Sequence, residues 1–202
     1  MVAIINSSTV KVAAIEVRDY YMNSDAIVKS ILHHSGVQGA IALIPIPIVG
    51  ETACIVNQLH MYHKINKLLG VKFSKNVMKV MGTFLLSQVS GAAAMVAGLA
   101  LLKFIPGINF ASGFVEAPFV AAINYTCGLV YYGMLQRYLS SGVLQANASD
   151  EEIINGLKSN SMSKDEIRGI YGDAKKTVKG LNYDSYKTEA ESCVDEAKEQ
   201  NG

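Results

Sequence analysis

Apolar residues recur at helical spacing along most of the chain, and in two stretches they displace charge altogether. Residues 80–102 form a run of 23 without a charged side chain, and residues 117–136 a run of 20. At about 1.5 Å per helical residue, each could cross roughly 30 Å of hydrocarbon. Between them, Phe104-Ile105-Pro106-Gly107-Ile108 supplies a turn at Pro106 and Gly107. The pattern predicts a hydrophobic helical hairpin around which the other elements are arranged.

Before the hairpin, Ser7-Ser8-Thr9 can cap a helix over 10–22, with Val10, Ala13, Ala14 and Val17 on one face. Asn23-Ser24-Asp25 reads as a second start. Ile27, Val28, Ile31 and Leu32 then carry a helix to His33-His34-Ser35-Gly36, where the glycine is a candidate stop. Pro45 and Pro47, one residue apart, must break the apolar run 39–50, because proline cannot continue a helix and pushes its predecessor to extended geometry. Glu51-Thr52 opens the next helix. Ile55, Leu59, Tyr62, Ile65, Leu68 and Leu69 are its expected core stripe, and Asn57, Gln58, His60, Lys64 and Lys67 are expected to face elsewhere. Gly70 should end it, and Ser74 can cap its successor.

The first arm of the hairpin follows Lys72, Lys75 and Lys79, a cluster suited to an anionic membrane surface. Within the arm, Ser87, Gly91, Ala94 and Gly98 form a small-residue ridge of the kind that lets helices approach closely, a candidate assembly interface. In the second arm Pro118 should start or kink the helix. Tyr125, Tyr131, Tyr132 and Tyr138, with Arg137, suggest an interfacial aromatic belt. The character changes after Ser140-Ser141-Gly142. Ser149 with Glu152, and Ser163 with Glu166, are capping-box signatures for helices to about Lys158 and Lys179. A last, polar helix over 184–200 carries a thin stripe of Tyr186, Ala190, Cys193, Val194 and Ala197. The fold class expected is all-α: a glycine-rich hydrophobic hairpin packed with amphipathic N-terminal helices in a domain 1–145, and a polar helical tail, 146–202, that docks or stays partly mobile.

Composition sharpens this picture. Charged residues make up 17% of the chain, where about a quarter is usual. The net charge of +1 conceals an asymmetry, because residues 149–202 carry 12 acids against 8 bases and residues 1–148 carry 10 bases against 5 acids. The apolar part is also the basic part, which suits a membrane surface, and the dense basic and aromatic patches of a nucleic-acid binder are absent. Cys54, Cys127 and Cys193 are odd in number and widely spaced, so they predict neither a disulfide framework nor a zinc site, but reduced thiols in a bacterial cytoplasm. The first residues lack the basic and apolar regions of a secretory signal, and export by that route is not expected.

Four pieces between residues 39 and 145 carry a family likeness: Leu43-Ile44-Pro45-Ile46-Pro47; Gln58-Leu59-His60-Met61 with Leu69-Gly70-Val71-Lys72-Phe73-Ser74; Lys103-Phe104-Ile105-Pro106-Gly107-Ile108; and Tyr125-Thr126-Cys127-Gly128 leading to Tyr138-Leu139-Ser140-Ser141-Gly142. In this order they resemble the YcjF-like family of bacterial domains of unknown function, found beside or fused to Era-like and YcjX-like GTPases. The resemblance implies an all-helical, membrane-associated or GTPase-associated domain and no known reaction. The chain departs from the family in having Gly50-Glu51 where an aspartate is usual after the PxP element, and in carrying Glu116 in an arm that is usually neutral. It has no GxxxxGK[ST] loop, so a GTPase would be a separate protein.

No catalytic, cofactor or metal constellation emerges. His60 and His63 lie three apart on one helix, with His33 and His34 as remote candidates, but without an acid or cysteine pattern they read as solvated or capping groups. Glu116, with Asn109 and Asn124, could line a polar path through a membrane; the plainer reading seats Glu116 at an interface or against Lys103. Cys54 and Cys127 read as small core residues. Three functional readings follow. The first is a non-enzymatic membrane-associated protein, on the cytoplasmic side of a bacterial inner membrane, that self-assembles through the hairpin and serves a GTPase or other soluble partner. The others are an oligomeric pore and a soluble homo-oligomer. Lipid and a second copy of the chain are the expected partners, and nucleic acid is not.

Overall fold

The computed structural model describes residues 7–45, 47–97, 117–142 and 148–201, with side chains over 24–45, 49–93, 117–142 and 148–200. The described residues form seven α-helices and no strand, an all-α fold: α1 (Ser7–Ala42), α2 (Pro47–Leu68), α3 (Lys75–Ala97), α4 (Ala117–Ser140), α5 (Asp150–Ser159), α6 (Lys164–Val178) and α7 (Lys187–Asn201), the last preceded by a 3-10 turn over Tyr183–Tyr186.

Local signals place most of the helix ends. The PxP element ends α1, whose last turn tightens as Leu43 N donates to Ala40 O at 3.1 Å and Ile44 N to Ile41 O at 3.0 Å. Pro47 then sits at the first position of α2, where its missing N–H costs nothing. Gly70, with φ +70°, closes α2 in the left-handed region that only glycine enters cheaply. Ser74 Oγ accepts from Val77 N at 3.1 Å and starts α3. Pro118 lies in the first turn of α4. Ser149 and Ser163 both form complete capping boxes, with Glu152 and Glu166.

The N-terminal segment differs from expectation, because α1 is one unbroken helix in place of two. Asp25 pairs with Lys29 at 2.6 Å on the exposed side of a continuing helix, so the polar triplet starts nothing. Gly36 is not a stop. A Cβ there would collide with the Tyr186 ring, and one at Gly39 with the Tyr183 ring, so both glycines serve close packing of the 3-10 turn against α1.

Helix α4 is the axis of the bundle and packs on α1, α2, α3, α5 and α6. Of its residues only Arg137 and Ser140 are exposed. This corrects the bilayer-spanning reading of the second arm: its lack of charge goes with packing against five neighbouring helices. The aromatic belt is likewise overturned. Tyr131 and Tyr138 are at most 2% exposed, Tyr125 and Tyr132 are buried beside them, and Tyr131 packs on Tyr62 with ring centroids 4.2 Å apart. Among the described residues no helix is both long and apolar enough to cross a membrane, against the expectation of two candidate spans. The turn at Pro106 and Gly107 lies outside the described residues.

The C-terminal helices dock on the bundle. Ile153 and Leu157 of α5, and Ile167, Tyr171, Ala174 and Val178 of α6, join the same core as α1 to α4. Helix α7 lies along α1 and α2 and forms with them a second, smaller apolar cluster.

Candidate functional site

Neighbour relations fix which helix ends meet. Gly128 packs on Ile31 and Met61, Gly39 lies by Ala117, and Asn66 bonds Tyr131, so α1 runs antiparallel to α4 while α2 runs parallel to it. The C-terminus of α1, the PxP link, the N-terminus of α2, the C-terminus of α3 and the N-terminus of α4 therefore share one end of the bundle.

That end holds a mostly apolar cavity of about 70 Å³, walled by Cys54, Ile55, Leu86, Phe119, Val120 and Ile123, with Gln38, Glu51, Gln58, Ser90 and Asn124 contributing polar atoms. Ile55 in its wall is 46% exposed, and Leu43, at the same end of the bundle, is 51% exposed, both large aliphatic side chains facing water. Ile55 corrects the expected stripe of α2. Asn57 and Gln58, expected to face away, are buried instead, at 1% and 7% exposure. Helix α2 is covered from four sides, by α1, α3, α4 and α7, so no single stripe could describe its core.

The buried polar groups of α2 find partners on α1, on α2 itself and on α4, except Asn66 Nδ2, which has none among the described residues. Asn57 Nδ2 donates to His34 O at 2.9 Å and to Gln38 Oε1 at 2.5 Å, while His34 Nδ1 lies 2.9 Å from Asn57 Oδ1. Burial lowers the His34 pKa from 6.5, partly offset by the Asn57 bond, and keeps the ring neutral. Gln58 Nε2 donates to Tyr62 OH at 3.0 Å, and Tyr131 OH to Asn66 Oδ1 at 2.9 Å. Burial pushes the Cys54 and Cys127 thiols up to about 12, which leaves them protonated and unreactive.

The remaining candidates are dispersed. Ser87 and Gly91 are exposed on α3; the Ala94 side chain and Gly98 lie outside the description. Asn124 is 2% exposed, with its amide 3.7 Å from Met61 Sδ, whereas Asn109 and Glu116 lie outside the described residues. Lys72, Lys75 and Lys79 are exposed at the opposite end of the bundle, where Ser74 Oγ donates to Asp150 Oδ2 at 2.7 Å. His63 is exposed. His60 pairs with Glu196 at 3.2 Å and His33 with Glu189 at 2.7 Å, both across to α7. No described group of three or more His, Cys, Asp or Glu side chains is placed to hold a metal ion.

The fold and this end define a helical bundle with a partly apolar end surface that also carries Glu51. A 94-residue stretch of the chain is 31% identical to Magnetosome membrane protein 22 of Magnetospirillum gryphiswaldense, covering 46% of this chain and 48% of that protein. The aligned stretch thus spans about half the length of the relative it matches. No family model and no solved structure matches the chain.

Proposed function

We propose that this is a non-enzymatic, membrane-associated helical protein that meets one leaflet of a bilayer with the PxP end of the bundle. The observation that carries the reading is the exposure of Leu43 and Ile55 at the end of the bundle that holds the mostly apolar cavity and at which α3 finishes. Exposed aliphatic side chains gathered at one end mark an interaction surface. A peripheral contact needs no spanning helix, and the similarity to a protein named for a membrane supports a lipid partner. The cytoplasmic side of a bacterial inner membrane suits the charge pattern and the resemblance to GTPase-associated domains, and a GTPase remains the proposed soluble partner. Self-association would use Ser87 and Gly91, which present an open, small-residue surface on α3. Lys72, Lys75 and Lys79 lie at the other end of the bundle from the proposed bilayer contact. From Lys79, the nearest of them, to Ala97 the helix runs about 27 Å.

Vesicle flotation tests the reading. The full chain should float with vesicles of equimolar phosphatidylcholine and phosphatidylglycerol, and the double variant Leu43→Gln/Ile55→Gln should float much less while melting at the same temperature. A wild-type chain that stays at the bottom of the gradient would overturn it.

A further inference from the structure

Helix α7 covers an apolar face built by α1 and α2. Beneath Ala190, Cys193, Val194 and Ala197 lie Val37, Ala40 and Ile41 of α1 with Ala53 and Val56 of α2, a cluster separate from the main core around α4. Its margin runs through Ile44, Val49 and Cys54, at the end of the bundle where Leu43 stands exposed. We propose that this α1/α2 face is a second lipid-contact surface, shielded by α7 and uncovered against an anionic bilayer. The proposal rests on the membrane reading above.

Three observations carry it. The stripe by which α7 docks consists of small side chains, so its seat buries little apolar area per residue, and lifting α7 leaves the main core contacts of α1 to α6 in place. The side-chain ion pairs from α7 to the bundle are His33 to Glu189 at 2.7 Å and His60 to Glu196 at 3.2 Å, with 41% to 54% of each side chain exposed, and pairs that open to water hold weakly. The third is charge. Residues 187–201 carry Glu189, Glu191, Asp195, Glu196 and Glu199 against Lys187 and Lys198, a net of −3, so an anionic surface repels the cover while it attracts the apolar face below. Lifting α7 also leaves His33 and His60 flanking that face without their carboxylate partners. The sign of the charge favours an anionic lipid surface over a second copy of the chain as what uncovers and occupies the face.

The test uses the full chain and two full-length variants, Ala190→Asp, which places a carboxylate in the buried seat, and Glu189→Gln/Glu196→Gln, which removes both ion pairs. Binding to equimolar phosphatidylcholine/phosphatidylglycerol vesicles is measured beside helix content by circular dichroism. If α7 is lifted in about a tenth of wild-type molecules, full release tightens binding about tenfold. Hydrogen exchange on the wild type needs no variant to fold: adding vesicles should strip protection from the α7 amides and leave those of α4 protected. Variants that bind as the wild type does, or α7 amides that stay protected in the vesicle-bound protein, would overturn the cover and leave the membrane reading standing. If neither wild type nor variants bind, the membrane reading falls and this one with it. Released variants that dimerise on a sizing column and ignore vesicles would replace lipid by a second copy, again overturning the proposal.

Discussion

Glu166 joins two helices with one carboxylate: its Oε2 accepts from Ser163 N at 2.7 Å, closing the capping box of α6, while its Oε1 accepts from Arg137 Nη2 at 2.5 Å near the end of α4. The Ser163 backbone bond, then the Arg137 and Ser163 side chains, hold its pKa down at about 2, from 4.5. A carboxyl with a lowered folded-state pKa contributes stability above its unfolded value, and that contribution is lost as pH falls from 4.5 towards 2. Glu166→Gln should therefore melt lower than wild type at neutral pH, and the difference should shrink as pH falls through that window. A difference that stays constant across it would remove the carboxylate from the account.

His34 changes stability in the same sense, though burial and not a bond to the charged form is the cause. Its folded pKa lies below the unfolded 6.5, chiefly because burial disfavours the charged ring. Above 6.5 both states are neutral and nothing is lost; below it the unfolded chain binds a proton that the native state resists, so stability falls with pH until the folded value is reached. His34→Gln should flatten the fall in melting temperature between about pH 7 and pH 5. An unchanged slope would place the acid sensitivity elsewhere.

Gly128 lies where α1, α2 and α4 cross. A Cβ there would stand 2.6 Å from Ile31 Cγ2 and 3.0 Å from Met61 Sδ, and a β-branched neighbour within a helix has little room to turn. Gly128→Ala should cost about 1–3 kcal/mol of stability, the usual penalty of overpacking, measured by urea denaturation. A neutral result would mean that the α1/α4 crossing yields.

Gly91 is the contrasting case, since a Cβ added there meets nothing within 4 Å. Gly91→Ala should stabilise the fold by about 0.5–1 kcal/mol, the backbone entropy that glycine forfeits in a helix. Gly91→Leu should leave the monomer folded but reduce the mass of any assembly on a sizing column. If the assembly keeps its mass, the α3 ridge is not its interface.

Tyr131→Phe removes the donor to Asn66 Oδ1 and leaves a buried acceptor unpaired, at a cost of about 1–3 kcal/mol. Equal stability of the variant would show that water or a shifted side chain takes the place of the hydroxyl.

What could be read from the chain alone was whatever neighbouring residues decide among themselves. Pro45 and Pro47 ended one helix and began another, Gly70 supplied a left-handed residue, and Ser74, Ser149 and Ser163 capped helices through hydrogen bonds spanning three residues. The stripe of Ala190, Cys193, Val194 and Ala197 also showed in the sequence, because a helix buried along one side keeps a strict period. The tertiary structure decided what lies against each face. A charge-free helix reads alike whether lipid or protein surrounds it, and only the packing of five helices around α4 made residues 117–136 a protein core and drew its tyrosines inward. Gly36 could as well have ended α1 as admitted a ring against it, and the distant Tyr186 settled that choice. Asn57 looked solvent-facing because its partners, His34 and Gln38, belong to another helix. The gathering of Leu43, Ile55 and the cavity at one end arises only when four helices fold back on each other, so the surface that suggests a function was the part least visible along the chain.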